Sequence, residues 1–230
     1  MLVRDGAAGG DVAQERRFRR SVLRWQKHYR PGDFPWRRTS DHYTVLIGEI
    51  LLQRTSRNHV AEVFDEFLRR WPDAEHLAKA RTASIRKVIA PLGLPKRASI
   101  LKKLGAEIAK LDTLPLDPAQ LDALPGVGPY AAHAVPVFAG GKNLPLVDWV
   151  IARVLRRYFD LPATRRPNAD ADLWDLATRL VEAGRARDLW LGVLDLGDSH
   201  CRPVPRCATC PICRSCRYGI AHHPVRAGAV

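Results

Sequence analysis

The sequence predicts an all-α fold of about ten helices joined by short connections that contain proline and glycine. Apolar residues recur at intervals of three and four residues along most of the chain, as on one face of a helix. Convincing period-2 alternation, which is typical of strands, is absent. With 230 residues, of which 46% are hydrophobic, the chain can bury a substantial core.

Each predicted helix follows from a stripe of apolar residues, and two helices carry a start signal. In chain order the stripes are Phe18, Val22, Trp25 and Tyr29; Val60, Val63, Phe64, Phe67 and Leu68; Ile100, Leu101, Leu104, Ile108 and Leu111; and Leu173, Trp174, Ala177, Leu180 and Val181. Ser56 is a suitable N-cap for the second stripe. Asp117 followed by Pro118 is a cap with proline at the first helical position.

The composition is basic, with 37 Lys and Arg against 24 Asp and Glu and a net charge of +13. This excess favours a polyanionic partner, most often nucleic acid, although an arginine-rich composition is also typical of GC-rich genomes. No run approaches the roughly 20 apolar residues of a membrane span. Residues 1–12 contain no apolar core, so we expect a flexible tail rather than a signal peptide, and a cytoplasmic, nucleoid-associated protein.

All five cysteines lie within residues 201–216, in the stretch CRPVPRCATCPICRSC. A secreted disulfide framework distributes its cysteines through the fold, and an odd number leaves a free thiol. The cluster therefore indicates a metal site. Structural zinc sites usually separate two cysteine pairs by a longer insert, whereas four thiolates in one loop favour a 4Fe–4S cluster. Zinc is the alternative.

The motif LPGVGPY, within LDALPGVGPYAAHAV (residues 121–135), predicts two helices joined by a tight hairpin. The first helix is expected to end at Leu124, and the second to begin at Pro129. Gly126 and Gly128 permit positive φ and a close backbone approach, so their N–H groups can face a phosphate at the helix N-terminus. An ordinary turn is the alternative, but in so basic a chain the motif favours binding to the DNA backbone.

The order of these motifs resembles the helix-hairpin-helix DNA glycosylase superfamily of endonuclease III. LPGVGPY is followed by PLVDWVIARVLRRYF and then by the four-cysteine loop, and the resemblance extends from about Phe34 to Cys216. The segment FPWRRTSDHYTVLIGEILLQRT (residues 34–55) is similar to the start of the mismatch-specific members MutY and Mig.

The resemblance implies two helical lobes and a monomer that acts on double-stranded DNA containing a mismatched or damaged base. The expected parts are a six-helix barrel over residues 34–142 with the hairpin at 121–135, a second lobe formed by residues 13–33 and 143–216 with the cysteine loop at 201–216, and a C-terminal tail over 217–230. The target nucleotide is expected to leave the base stack.

Three catalytic residues are implied by the resemblance. Asp148 is the carboxylate that stabilises an oxocarbenium-like transition state, and it can also cap the following helix. Tyr130 occupies the position of a lysine in bifunctional members; a phenol cannot form a Schiff base, so a monofunctional enzyme is expected. Glu49 matches a glutamate that protonates adenine in MutY and is present in Mig. A carboxylate in the apolar helix VLIGEILL is costly to bury unpaired.

The resemblance also implies residues that contact DNA. Gln53 and Leu94 match the positions that fill the gap left by the flipped base, with ordinary surface or core roles as the alternative. Arg54, Arg57 and Arg97 are expected contacts to the DNA backbone, for which an ordinary solvated face is an equal alternative.

Two residues that depart from the relatives are expected to line the base pocket. His133 lies one turn beyond Tyr130 on the same helix. Trp149 follows Asp148 where relatives usually have a small or polar residue, and it could stack on a base or pack within its lobe.

The resemblance assigns the metal ligands to four cysteines. Cys201, Cys207, Cys210 and Cys216 give C-x5-C-x2-C-x5-C, one residue shorter in the first gap than the C-x6-C-x2-C-x5-C of the family. Cys213 is expected to be a bystander.

The function expected from the resemblance is monofunctional excision of thymine or uracil opposite guanine. A MutY-like glycosylase that removes adenine opposite guanine or oxidised guanine is the first alternative. MutY carries a further C-terminal domain and a loop of the GLGYYARA type, whereas here 14 residues follow Cys216 and the loop is PLGLPKRA. A non-catalytic, zinc-containing DNA-binding module is the second alternative, and the combination of Asp148, Tyr130 and Glu49 argues against it.

Overall fold

The computed structural model describes residues 11–30, 32, 34–164 and 166–223. These residues form twelve α-helices, short 3₁₀ turns and no strand, which confirms the all-α prediction. The α-helices are α1 (Val12–Gln26), α2 (His42–Leu52), α3 (Arg57–Arg70), α4 (Ala74–Lys79), α5 (Thr82–Val88), α6 (Arg97–Ile108), α7 (Pro118–Asp122), α8 (Pro129–Phe138), α9 (Trp149–Phe159), α10 (Ala171–Val181), α11 (Ala186–Ser199) and α12 (Arg217–His222). None of these helices has both the length and the apolar character that a membrane crossing requires.

The chain divides into two compact units. The hairpin unit is Gly32–Lys142 and contains α2 to α8. The cysteine unit joins the described residues before Gly32 to those from Asn143 onward, so it contains α1 and α9 to α12.

The core of the hairpin unit forms around α2, which is buried along most of its length. This helix packs against α3 and α8. Gly48 permits the close approach of the preceding segment, because a Cβ atom there would lie 2.8 Å from Cβ of Trp36. The two predicted caps are confirmed: Ser56 Oγ accepts from the N–H of His59 at 3.4 Å, and Asp117 accepts from Gln120 at 3.0 Å.

The core of the cysteine unit lies where α1 packs against α11. Phe18 and Val22 of α1 are fully buried, and Phe18 packs against Tyr158 with ring centroids 4.7 Å apart. A Cβ atom on Gly192 would lie 2.8 Å from Cγ1 of Val22, so glycine permits the two helices to pack closely. Trp190 is also buried and donates to the carbonyl of Leu144 at 3.0 Å.

The expected N-terminal tail, residues 1–12, overlaps the start of α1 and its N-cap residue. Helix α1 begins at Val12, because the carboxylate of Asp11 accepts from the N–H groups of Ala13 and Gln14 at 3.1 and 3.2 Å and thereby satisfies donors of the first turn. The rest of the expected tail, residues 1–10, lies outside the described residues.

The expected C-terminal tail also contains structure. Residues 217–222 form α12, which Cys216 caps by accepting from the N–H of Gly219 at 3.4 Å. Tyr218 stacks on His222 within this helix, with ring centroids 4.0 Å apart. Residues 224–230 lie outside the described residues.

Candidate active site

The hairpin forms between α7 and α8, and its two glycines have different roles. The first helix ends at Asp122, two residues before the predicted Leu124, and the second begins at Pro129 as predicted. Gly126 has φ +80°, and a Cβ atom there would lie 2.3 Å from Cγ2 of Ile100, so the fold requires glycine.

Gly128 is not required by internal packing. Its backbone is extended, with φ −116° and ψ 177°, and a Cβ atom there would meet no heavy atom within 4 Å. Space is therefore open in front of the N-terminus of α8, where helix N–H groups can meet an anion.

The turn between α2 and α3 is joined to this hairpin by a hydrogen bond. The side-chain amide of Gln53 donates to the carbonyl of Gly126 at 3.0 Å, although the Gln53 side chain is exposed. The next residue, Arg54, is exposed and has φ +56°, a left-handed conformation that is uncommon for a residue other than glycine. The structure thus brings Gln53 and Gly126 together.

The prediction that Arg97 contacts the DNA backbone is wrong. Its side chain is 5% exposed, and burial lowers the pKa of its guanidinium from the usual value. The guanidinium donates to the carbonyl of Leu51 at 2.9 Å, to the carbonyl of Gln53, and to Thr55 Oγ1 at 3.3 Å. Arg97 therefore satisfies carbonyls left without partners at the C-terminus of α2 and holds the turn that follows.

Leu94, on the connection before α6, and Arg57, the first residue of α3, belong to the same unit. Leu94 is half-buried and follows Gly93, which has φ +72°. The guanidinium of Arg57 lies over the ring of Phe34, 5.1 Å from its centroid, and the side chain is half-buried.

Two of the three expected catalytic residues lie on helices that pack together, α2 and α8. Glu49 is 6% exposed within α2, and Tyr130 is the half-buried second residue of α8. His133 is one turn further along α8 and is half-buried. Its Nδ1 donates to the carbonyl of Pro129 at 2.9 Å, which makes Nε2 an acceptor in the neutral ring.

Asp148 belongs to the cysteine unit and caps α9. Its carboxylate accepts from the N–H of Ile151 at 2.7 Å, so the expected capping role is confirmed. Burial raises the pKa of Asp148 to about 6, against the opposing effects of two backbone N–H groups and of Arg153. Trp149, the first residue of α9, is 62% exposed.

All five cysteines line one cavity in the cysteine unit, together with apolar side chains that include Val154, Leu196 and Ile212. Burial raises the pKa of the Cys210 thiol to about 12 and that of Cys216 to about 11. Ionising these thiols is therefore costly unless a cation accompanies them.

The donors around the cavity suit sulfur ligands. The N–H of Gly219 points to Cys216 Sγ at 3.4 Å, and Nη1 of Arg157 lies 3.5 Å from Cys201 Sγ. Hydrogen bonds of this kind stabilise the negative charge of cluster-bound sulfurs.

Across the described part of the chain, no group of three or more His, Cys, Asp or Glu side chains is arranged to hold a metal ion.

Comparison with known proteins decides the family. Residues 47–179 match the HhH-GPD superfamily base excision DNA repair proteins. The chain belongs to this superfamily.

Individual relatives agree with that assignment. The thymine/uracil-DNA glycosylase of Pyrobaculum aerophilum is 37% identical over 203 residues, which cover 85% of this chain and 88% of that protein. The adenine DNA glycosylase of Mycolicibacterium smegmatis is 34% identical over 211 residues, covering 88% and 70%. The structure of a thermostable thymine-DNA glycosylase matches with a TM-score of 0.83 at 34% identity, covering 91% of this chain and 98% of that one. The resemblance inferred from the sequence is confirmed.

Within this HhH-GPD protein, two arginines that sequence reasoning missed hold the start of the cysteine loop. Arg153 Nε donates to the carbonyl of Cys201 at 2.7 Å, and Arg157 donates to the carbonyls of Arg202 and Pro203 at 2.6 and 2.9 Å. Their spacing of four residues on α9, which starts just after Asp148, was the available signal, since such residues share a helix face.

Proposed function

We propose that this protein is a monofunctional DNA glycosylase that removes thymine or uracil opposite guanine from duplex DNA. The observation that carries the proposal is membership of the HhH-GPD superfamily together with the identity to proteins named thymine/uracil-DNA glycosylases. Two residues are proposed to determine the reaction. Burial raises the pKa of Asp148, the proposed catalytic carboxylate, and Tyr130 places a phenol where bifunctional relatives have an amine.

In the proposed reaction, water replaces the base at C1′ of the deoxyribose. The bond from C1′ to the base nitrogen breaks, the electron pair leaves with the base, and positive charge develops on the sugar. The Asp148 carboxylate stabilises this charge. The oxygen of water then bonds to C1′, and its proton balances the charge of the departing base. Glu49 is proposed as a further acidic group in the reaction, and Tyr130 presents no amine that could form a Schiff base.

The hairpin is proposed to bind the DNA backbone through the N–H groups before α8. Gly128 supports this role, because the fold leaves its side-chain position open. Gln53 and Leu94 are proposed to fill the gap left by the flipped base. Arg54 and Arg57, in contrast to the buried Arg97, remain proposed phosphate contacts.

We further propose that His133 and Trp149 line the base pocket and that the protein acts as a monomer. The exposed indole of Trp149, which follows Asp148 in the chain, supports stacking on a base, and His133 lies one turn beyond Tyr130 on α8.

The cysteine cavity is proposed to hold a 4Fe–4S cluster through Cys201, Cys207, Cys210 and Cys216. When bound, the cluster cross-links the loop and compensates the negative charge of its thiolates. Brown protein with a broad band near roughly 400 nm is the expected observation. Colourless protein with stoichiometric zinc would contradict this proposal.

A panel of duplexes tests the substrate. Each duplex carries thymine, uracil or adenine opposite guanine or oxidised guanine, and hot alkali reveals the abasic sites after incubation. Release of thymine and uracil opposite guanine is the expected result. Release of adenine alone would assign the MutY-like activity, and release of no base would support the non-catalytic alternative.

A further inference from the structure

Helix α1 carries a stripe of four basic side chains on the side opposite its buried face. Arg16, Arg20, Arg24 and the C-cap residue Lys27 recur every three or four residues, and all four are exposed. Among residues 11–30 there are seven Lys and Arg against two Asp and Glu. We call these four residues the α1 stripe.

The opposite face of α1 fixes this helix firmly within the cysteine unit. Phe18 and Val22 are fully buried there. Glu15, one of the two acidic residues of the segment, is buried and pairs with Arg179 at 2.9 Å. Arg19 donates to the carbonyls of Leu180 and Gly184, the latter at 3.1 Å. The stripe is therefore presented by a helix that cannot rotate about its axis.

The stripe is free to engage an external partner. None of its four side chains forms an ion pair or a side-chain hydrogen bond with another residue in the part of the chain that the structure describes. Successive arginines are separated by about 6 Å along the helix axis, and the whole stripe spans about 16 Å. A duplex carries one phosphate charge per roughly 1.7 Å of its axis, so several phosphates can lie along such a row.

We propose that the α1 stripe binds duplex DNA, in addition to the residues of the hairpin. The choice of DNA as the polyanion rests on the proposed function. A membrane is a poor partner, because an interfacial helix inserts its apolar face and that of α1 is buried within the unit. The stripe binds phosphates without reading sequence, so it strengthens retention on undamaged DNA.

The experiment compares two variants from which the same charge is removed. The stripe variant carries Arg16→Gln, Arg20→Gln, Arg24→Gln and Lys27→Gln. The matched control carries Arg69→Gln, Arg81→Gln, Arg86→Gln and Lys87→Gln, which are exposed on the hairpin unit. Both fall from a net charge of +13 to +9. Binding of the full chain to an undamaged duplex is followed by fluorescence anisotropy between 50 and 200 mM salt, since log K falls with log salt in proportion to the number of phosphates that the protein neutralises.

The expected result is a shallower salt dependence for the stripe variant alone. The slope should change by about 0.9 for each phosphate that the variant no longer neutralises, and so by up to about 3.6 for all four. Thermal denaturation and single-turnover base release at saturating enzyme stay as in the wild type.

Two outcomes would overturn the proposal. If the salt slope changes equally in both variants, the effect is due to net charge and not to the stripe. If the slope of the stripe variant is unchanged, the stripe does not bind DNA, and an acidic protein surface becomes the expected partner. If neither the variants nor the wild type release a base, the proposed function fails, while the salt comparison still decides the stripe.

Discussion

The side-chain amide of Gln53 donates to the backbone carbonyl of Gly126 at 3.0 Å and so joins the turn after α2 to the hairpin between α7 and α8. Both segments are also fixed from α6, since Arg97 binds the carbonyls of the turn and Ile100 lies against Gly126. Helix α6 thus holds both the turn that carries Gln53, proposed to fill the gap in the duplex, and the hairpin proposed to bind the DNA backbone.

Gln53→Ala is expected to lower the affinity for mismatched duplex and to lower the free energy of unfolding only slightly. Loss of the hydrogen bond lowers the free energy of unfolding by about 0.5–1.5 kcal/mol, measured by denaturant titration, while anisotropy reports DNA affinity. Gln53→Glu is the matched control, since it keeps the length but has no amide donor. Unchanged affinity in both variants would refute a role for Gln53 in DNA binding.

Asp148→Asn is expected to abolish most base release and to stabilise the protein. Without the carboxylate the single-turnover rate falls by about 10²–10³-fold, whereas asparagine still caps α9. In the wild type, base release should fall as the pH drops below about 6, the pKa to which burial raises Asp148, because the carboxyl then becomes protonated.

The stability gain of Asp148→Asn has a defined pH dependence. A folded-state pKa of about 6 exceeds the unfolded value of about 3.9, so protonation favours the folded wild type and that advantage disappears as the pH rises through 6. The variant should match the wild type near pH 4 and exceed it above pH 6 by up to about 3 kcal/mol. Equal denaturation midpoints at both pH values would contradict the burial of this charge.

Substitutions of the two hairpin glycines are expected to have different effects, one on the free energy of unfolding and the other on DNA affinity. Gly126→Ala is expected to lower the free energy of unfolding by about 1–2 kcal/mol or more, because alanine is strained at φ +80° and its Cβ meets Ile100. Gly128→Ala should leave the denaturation midpoint unchanged and weaken DNA binding. Ile100→Ala in the Gly126→Ala background tests the contact and should restore part of the stability.

Tyr130→Lys is expected to introduce strand cleavage. The wild type should leave an intact abasic strand until alkali is added, and borohydride should trap no adduct, because trapping requires an amine. The lysine variant supplies one at the start of α8, and gel electrophoresis after borohydride measures the trapped complex. Tyr130→Phe, which adds no amine, is the control. Efficient trapping by the wild type would contradict the monofunctional assignment.

Single serine substitutions should identify the cysteines that bind iron. Cys201→Ser, Cys207→Ser, Cys210→Ser and Cys216→Ser are each expected to lower the iron content and the visible absorbance. Cys213→Ser should retain both, although its sulfur lines the same cavity. Removal of iron by a chelator should lower the denaturation midpoint of the wild type. Loss of iron from Cys213→Ser would change the ligand set.

The sequence predicted helices and caps well because these depend on neighbouring residues. Ser56 and Asp117 were recognised as caps, since a cap acts within three positions along the chain. The burial of Arg97 was not predicted, because its partners at Leu51 and Gln53 are more than 40 residues away and are backbone atoms. Every residue has a backbone carbonyl, so the sequence does not indicate which carbonyls an arginine will bind.

Helix α12 was missed for a related reason, since its N-cap is a thiol. Cysteine is not among the usual capping residues, so the motif suggested only a metal ligand. The stripe of α1 was also missed: its arginines were counted only in the net charge, although the apolar stripe that includes Phe18 and Val22 already indicated the opposite face of this helix.

Arg97 holds the turn after α2 through backbone atoms and the hydroxyl of Thr55, and its hydrogen bonds involve no side-chain atom of Gln53 or Arg54. The backbone under positions 53 and 54 is therefore held by position 97, and the side chain of Gln53 adds its own hydrogen bond to Gly126. A substitution of Arg97 is therefore expected to displace two exposed residues that are proposed to contact DNA, although it removes no side-chain contact to either of them.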